Sequence, residues 1–206
     1  MRLVAAVFTL SVSLLPSLAN AHIGLDVPTS RYGPDALKPG PCGLAGGGRS
    51  ANVTYYEPGE TIEVRWNEYV DHPGHYRIAF DADGDDDFID PAEMMELYAN
   101  DTVLLDGIAD KGYEERDYVA TVTLPDIECD NCTLQVIQVM YDKPPYETRG
   151  NDIYYLGADL VLIEGGEPPP GDDAGGCSAT SGRVGSAGFL PRLLVQMASR
   201  LAQRSR

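Results

Sequence analysis

Pro58-Gly59-Glu60-Thr61-Ile62-Glu63-Val64-Arg65-Trp66, residues 58 to 66, decides the fold class of this 206-residue chain. A Pro-Gly turn opens it. Ile62, Val64 and Trp66 then fall on one face, and Thr61, Glu63 and Arg65 on the other. A period of two marks a strand with one face on a core and one in water. The same period returns at 52–57, 75–80, 118–124, 133–141 and 153–163, with turns rich in Gly, Pro, Asn and Asp between them. Helical periodicity is scarce. The expected fold is all-β, an immunoglobulin/fibronectin-like antiparallel β-sandwich with long loops. One short helix is expected at 91–99, where Asp90 would cap, Pro91 takes the first position and Glu93 completes a capping box. Residues 22–50, with Pro28, Pro34, Pro39, Pro41 and Gly46-Gly47-Gly48, read as loop.

The two ends read differently. Arg2, the apolar run 3–15, Pro16 and the small residues Ala19 and Ala21 read as a secretion signal, 1–21, cut after Ala21. The run is too short to span a bilayer. The expected product is exported, to a compartment where disulfides persist. Its domain is 22–164, followed by a Gly/Pro/Asp linker at 165–177. In the tail, 178–206, a semi-apolar segment and an arginine cluster follow Gly176-Cys177-Ser178. The tail resembles a degenerate myxobacterial-type sorting signal, which implies processing and surface anchoring at Cys177.

Nine of the 15 basic residues and all 32 acidic ones fall within 22–177, a net charge of −23. Such a surface repels nucleic acid and anionic membranes, so any membrane contact would run through the tail. It tolerates neutral polymers and favours cations. Simple solubility accounts for much of this charge. A monomer is expected.

The chain has three histidines. Cleavage after Ala21 makes His22 the first residue, and its free amine and ring nitrogen can then chelate one metal ion. His72 and His75 lie in Asp71-His72-Pro73-Gly74-His75-Tyr76-Arg77, a turn leading into a strand. An amine with two imidazoles is a three-nitrogen set that suits copper better than tetrahedral zinc. The bland alternatives are an idle terminal residue and two surface histidines.

Taken together, the histidine after the signal, the strand at 58–66, the His-x-Gly turn, Cys129-Asp-Asn-Cys132-Thr-Leu-Gln135 and Tyr154-Tyr-x-x-Ala-Asp159-Leu resemble the lytic polysaccharide monooxygenases. The resemblance is strongest to a monooxygenase-like subgroup found in myxobacteria, and it covers roughly 22–164. It implies that His22 and His72 hold one copper ion in a histidine brace, with Tyr154 at the axial position. His75 stands where relatives have an aromatic residue, so it remains a possible second ligand. Arg77, Gln135, Gln138 and Arg149 are candidates for the surroundings of the metal. The implied reaction is oxidative cleavage of glycosidic bonds in a polysaccharide, with an external reductant and peroxide or dioxygen as co-substrates. Many relatives have a cysteine where this chain has Gly157, which puts their disulfide in doubt here. Cys42, Cys129 and Cys132 leave an odd thiol, and Cys42 paired with Cys129 or Cys132 is favoured.

Other readings stay open. The acids of 81–90 alternate as in calcium loops, but glycine is out of position, and a solvated turn is favoured. The Cys-x-x-Cys lacks the second pair that zinc would need. The main alternative to an oxidase is a non-catalytic extracellular copper-binding protein for uptake, storage or delivery. A calcium-dependent adhesion module is the third.

Overall fold

The structure, a computed structural model, describes residues 23–142, 144–147 and 151–167. Eight strands run in the order β1 (Ile23–Val27), β2 (Val53–Tyr56), β3 (Thr61–Glu68), β4 (Gly74–Asp81), β5 (Val103–Ala109), β6 (Asp117–Thr123), β7 (Cys129–Met140) and β8 (Ile153–Leu162). They form a three-stranded sheet, β1-β3-β6, and a five-stranded sheet, β2-β8-β7-β4-β5. All pairs are antiparallel except β2 with β8, which is parallel.

The alternation at 61–66 does what its period requires. Exposed and buried residues alternate along β3, and Ile62, Val64 and Trp66 enter the core. Facing them are Tyr76, Ile78 and Phe80 of β4, Leu134 and Val136 of β7, and Tyr154, Leu156 and Leu160 of β8. Trp66 stacks on Tyr118 of β6 with ring centroids 5.2 Å apart and planes 12° apart. Each such side chain removed from water stabilises the fold by roughly 1.5–3 kcal/mol. β4 is buried on both faces along its whole length. Its outer side and that of β7 are covered by a second cluster of Ile137, Val139, Ile153 and Tyr155, with Met94 and Tyr146 against it.

Four expectations need correction. No α-helix occurs among the described residues, and 91–99 forms turns. The groups meant for a helix are taken elsewhere. Asp90 accepts from the Tyr155 hydroxyl (2.8 Å), Pro91 O from the Tyr146 hydroxyl (2.7 Å) and Glu96 O from Arg77 (2.5 Å), while Tyr98 adopts a left-handed φ of +51°, which no right-handed helix accommodates. Residues 23–27, read as loop, form β1, because they pair with β3. β5 was not anticipated, since Gly107 at φ +64° breaks its alternation. The disulfide joins Cys129 to Cys132 and spans the point where the β7–β8 register shifts. Cys42 is a buried free thiol packed against Gly157, where an added Cβ would collide with its sulfur. Burial pushes that thiol up to about 12, so it stays protonated.

The signal segment 1–21, the tail 178–206 with the linker from 168 onward, His22, Arg149 and Cys177 lie outside the described residues.

Candidate metal centre

His72 sits on the turn between β3 and β4, and that turn is pinned from two sides. Its backbone N–H donates to Glu68 Oε1 (3.0 Å), and its carbonyl accepts from Gln138 Nε2 (3.1 Å). Gln138 Nε2 also donates to Glu68 Oε1 (2.6 Å). Tyr141 N donates to Pro73 O (2.7 Å). Gly74 is required where β4 starts, because any side chain there would strike the carbonyl of Val139.

The ring of His72 has its own partner. Nδ1 lies 3.0 Å from Asp142 Oδ2. An ionised carboxylate only accepts, so Nδ1 carries the proton and Nε2 the lone pair. A carboxylate that fixes the tautomer in this way is the usual companion of a metal-binding imidazole. The ring centroid of Tyr154 lies 5.8 Å away, tilted by 57°. Lys38 Nζ sits 3.7 Å over the Tyr154 ring and donates to Asn151 O (2.6 Å). Burial first, then the charge of Asp142, pushes the Tyr154 phenol up to about 12.

Ile23, the first described residue, lies opposite Glu68 in the β1–β3 pair. Glu68 is fully buried and binds the backbone of His72. The start of β1 and the His72 turn therefore meet at one residue, Glu68, the first through its backbone and the second through its carboxylate.

His75 points elsewhere. It is buried, its Nδ1 lies 2.7 Å from the Tyr141 hydroxyl, and its Nε2 lies 3.7 Å from Asp106 Oδ1. It lines a cavity of about 370 Å³ with Pro73, Met95, Leu97 and Tyr141. Burial lowers its affinity for a proton, opposed by Asp106 and aided by Arg77. Arg77 is bound to Asp106 Oδ2 (2.8 Å) and to the carbonyl of Glu96, where it fixes the 88–100 segment. Gln135 donates to Pro41 O (2.8 Å) and fixes the loop around Cys42. The structure thus brings together His72, Tyr154 and Gln138 and sets His75, Arg77 and Gln135 to other tasks.

Sequence reasoning missed Glu68, Asp142 and Lys38. For Glu68 a signal existed: the inward positions 62, 64 and 66 continue to 68, which puts a carboxylate on the core face. Asp142 and Lys38 carry no local signal, because chain reversals bring them to the site. In the acidic loop, Asp81 Oδ2 accepts from Gly84 N (2.8 Å) and Asp86 N (3.2 Å), and Asp86 pairs with Arg31.

No protein-family model matches the chain, and no curated protein matches it. Solved structures do. The chain is similar to a lytic polysaccharide monooxygenase AA15 from Thermobia domestica in the Cu(I) state, at 20% identity and a TM-score of 0.35, over 52% of this chain and 60% of that one. It is similar to a polysaccharide monooxygenase CBM33, at 12% identity and a TM-score of 0.46, over 69% of this chain and 100% of that one. It is also similar to an AA10 lytic polysaccharide monooxygenase from Streptomyces lividans, at 12% identity and a TM-score of 0.40, over 70% of this chain and 84% of that one. The chain therefore spans less than two thirds of the length of the first of these.

Proposed function

We propose that this chain is a secreted, monomeric, copper-dependent protein of the lytic polysaccharide monooxygenase kind, which cleaves glycosidic bonds oxidatively at one copper ion. The observation that carries the reading is the His72 ring, held through Nδ1 by Asp142 beside Tyr154, at the end of β3 where β1 begins. Cleavage after Ala21 would add the amine and ring of His22 next to Ile23. The residues then present a nitrogen donor set that fits copper.

Bound copper supplies one-electron activation of peroxide or dioxygen once an external donor has reduced it. The protein does the positioning. Asp142 keeps the proton on His72 Nδ1, so that Nε2 is the donor. Glu68 and Gln138 hold the turn that carries the ring. Tyr154, whose phenol burial and Asp142 push up to about 12, would stand beside the metal as a neutral neighbour of the His72 ring. Tyr69, 40% exposed, lies against Gly24, and Arg116 Nη1 donates to Tyr69 O (2.6 Å) beneath the exposed Tyr113. These two aromatics supply a polymer-contact face beside the site. The linker and Cys177 tail would tether the domain to the cell surface.

The test is copper binding and EPR on the secreted chain with an authentic His22 terminus. Tight one-to-one binding with nitrogen hyperfine structure is expected. It should be lost in His72→Ala and in a variant with one extra residue before His22, and retained in His75→Gln. Equal binding by the extended variant would overturn the brace. Binding without soluble oxidised products from any of several polysaccharides would leave the non-catalytic copper-binding reading, which the strongly acidic surface favours.

A further inference from the structure

Behind the His72 turn, three carboxylates converge, and no cation among the described residues pairs with them. Oxygens of Glu68, Asp71 and Asp110 all lie within 4.8 Å of one another. Among the described residues no salt bridge reaches any of the three. Lys111 Nζ sits over the Tyr118 ring, 5.1 Å from its centroid, but pairs with Glu115 and donates to Asp117 O (3.0 Å). The donors present are few. The Tyr118 hydroxyl has one proton for two acceptors, Asp110 Oδ1 (2.7 Å) and Glu68 Oε2 (3.2 Å). His72 N and Gln138 Nε2 reach Glu68, and Gly112 N reaches Asp110 (3.1 Å).

A second, independent observation concerns a neutral group. Gln138 is fully buried, and its Oε1 has no hydrogen-bond partner. The orientation of the Gln138 amide is settled by its neighbours, because Nε2 faces two acceptors, Glu68 Oε1 and His72 O. Its carbonyl oxygen is thus an orphan acceptor held against the cluster. The Tyr76 hydroxyl faces Tyr118, Glu68 and Asp110, whose charges join burial in holding it protonated. Asp71 Oδ1 is buried and equally unmet. An unmet buried polar atom costs about 1–3 kcal/mol, and two in one place call for a common partner.

We propose that Glu68, Asp71 and Asp110, with the amide oxygen of Gln138, bind a hard divalent cation of the calcium class, distinct from the copper site. All the ligand atoms are oxygens, the preference of calcium rather than of copper or zinc. Calcium bonds of about 2.4 Å allow two ligand atoms to lie up to about 4.8 Å apart, a limit that the three carboxylates meet. Waters complete the shell. The ion would hold the His72 turn from behind, through Glu68 and Asp71. The site is separate from the acidic loop 81–90, whose carboxylates are bound by backbone N–H groups and Arg31.

Terbium luminescence tests this, because Trp66, Tyr76 and Tyr118 have ring centroids 4.7–5.2 Å apart and the Tyr118 hydroxyl contacts the cluster. The full chain, stripped of transition metals with a chelator, is titrated with Tb³⁺ and excited through its aromatics. Saturable one-to-one emission is expected, displaced by Ca²⁺. Asp71→Asn and Asp110→Asn should each weaken binding at least tenfold. Asp83→Asn and Asp101→Asn, on the acidic loop and after it, should leave it unchanged, as should His72→Ala. Calcium should raise Tm in the parent and in Asp83→Asn but not in Asp71→Asn, with circular dichroism checking that each variant folds. Absence of saturable emission, parent-like binding in both cluster variants, or loss in Asp83→Asn would overturn the proposal. The outcome does not depend on whether copper binds.

Discussion

Two charge clusters sit in this one sandwich, one buried around Arg31 and one part-buried around Glu68, and they are closed in opposite ways. Around Arg31, Nε donates to Asp159 Oδ1 (2.8 Å), and the two terminal nitrogens reach Asp86 and Thr133 Oγ1. The other oxygen of Asp159 takes Ser50 N (2.7 Å) and Ser50 Oγ (2.8 Å), and Arg49 stands 3.8 Å from the carboxylate. Two acids meet two guanidinium groups, and few lone pairs are left over. Around Glu68 there are three acids and, among the described residues, no such partner. Burial is tolerable for a charge whose partners are built in. The cation proposed above would stand where the described residues offer none. The first cluster is an element of folding, tying the 28–52 loop to β7 and β8. The second lies at the end of the molecule where the His72 turn is held.

The largest test breaks the first cluster. Arg31→Met should cost about 3–5 kcal/mol in urea unfolding, since it leaves Asp159 charged in the core. Adding Asp159→Asn should recover much of that loss. A cost below about 1 kcal/mol for Arg31→Met would erase the contrast between the clusters. Next, Tyr118→Phe removes the one proton shared by Glu68 and Asp110, and should cost about 1–3 kcal/mol without calcium and visibly less with it. A smaller effect sharpens the second cluster through pH. Burial, reinforced by Asp110, holds the Glu68 carboxyl above its ordinary value of 4.5. A carboxyl raised on folding favours the fold when protonated. That contribution is full below the unfolded value and is lost as pH rises through the folded one. Calcium-free protein should therefore gain stability on acidification towards pH 4.5, and Asp110→Asn should flatten that gain in a series of thermal melts. The smallest effect is expected from salt. Raising ionic strength should leave the penalty of Arg31→Met unchanged, because screening barely reaches a buried pair.

The sheet faces were legible because a half-buried strand writes its burial into every second residue, and β3 and β6 do so. β1 was not legible, since five residues between the expected signal and a proline-rich loop carry too little pattern, and only pairing with β3 makes them a strand. The 91–99 segment misled for a different reason. Its capping residues were real, but Arg77, Tyr146 and Tyr155 claim the carbonyls and the carboxylate locally, and tertiary contacts outweigh a single helical turn. Of the candidate site, His72 and Tyr154 were named only through the family resemblance, since a turn histidine and a strand tyrosine carry no signal of their own. The different fates of His72 and His75 were not readable, because three residues suffice to carry the chain from a turn onto a buried strand. Glu68 was readable in principle, as the charged continuation of the inward row 62, 64, 66.

The Cys129–Cys132 bridge closes a ring of very few residues. A cross-link removes little disorder from an unfolded chain when its ends are already neighbours. This bond therefore acts mainly on the local course of one strand, at the shift between β7 and β8, and adds less to global stability than a long-range bridge would. It follows that the order of events in maturation is relaxed. The sheets can assemble with both sulfurs reduced, and oxidation can come before or after. Once the domain has folded, Cys42 is sealed under Gly157 and does not compete for either sulfur.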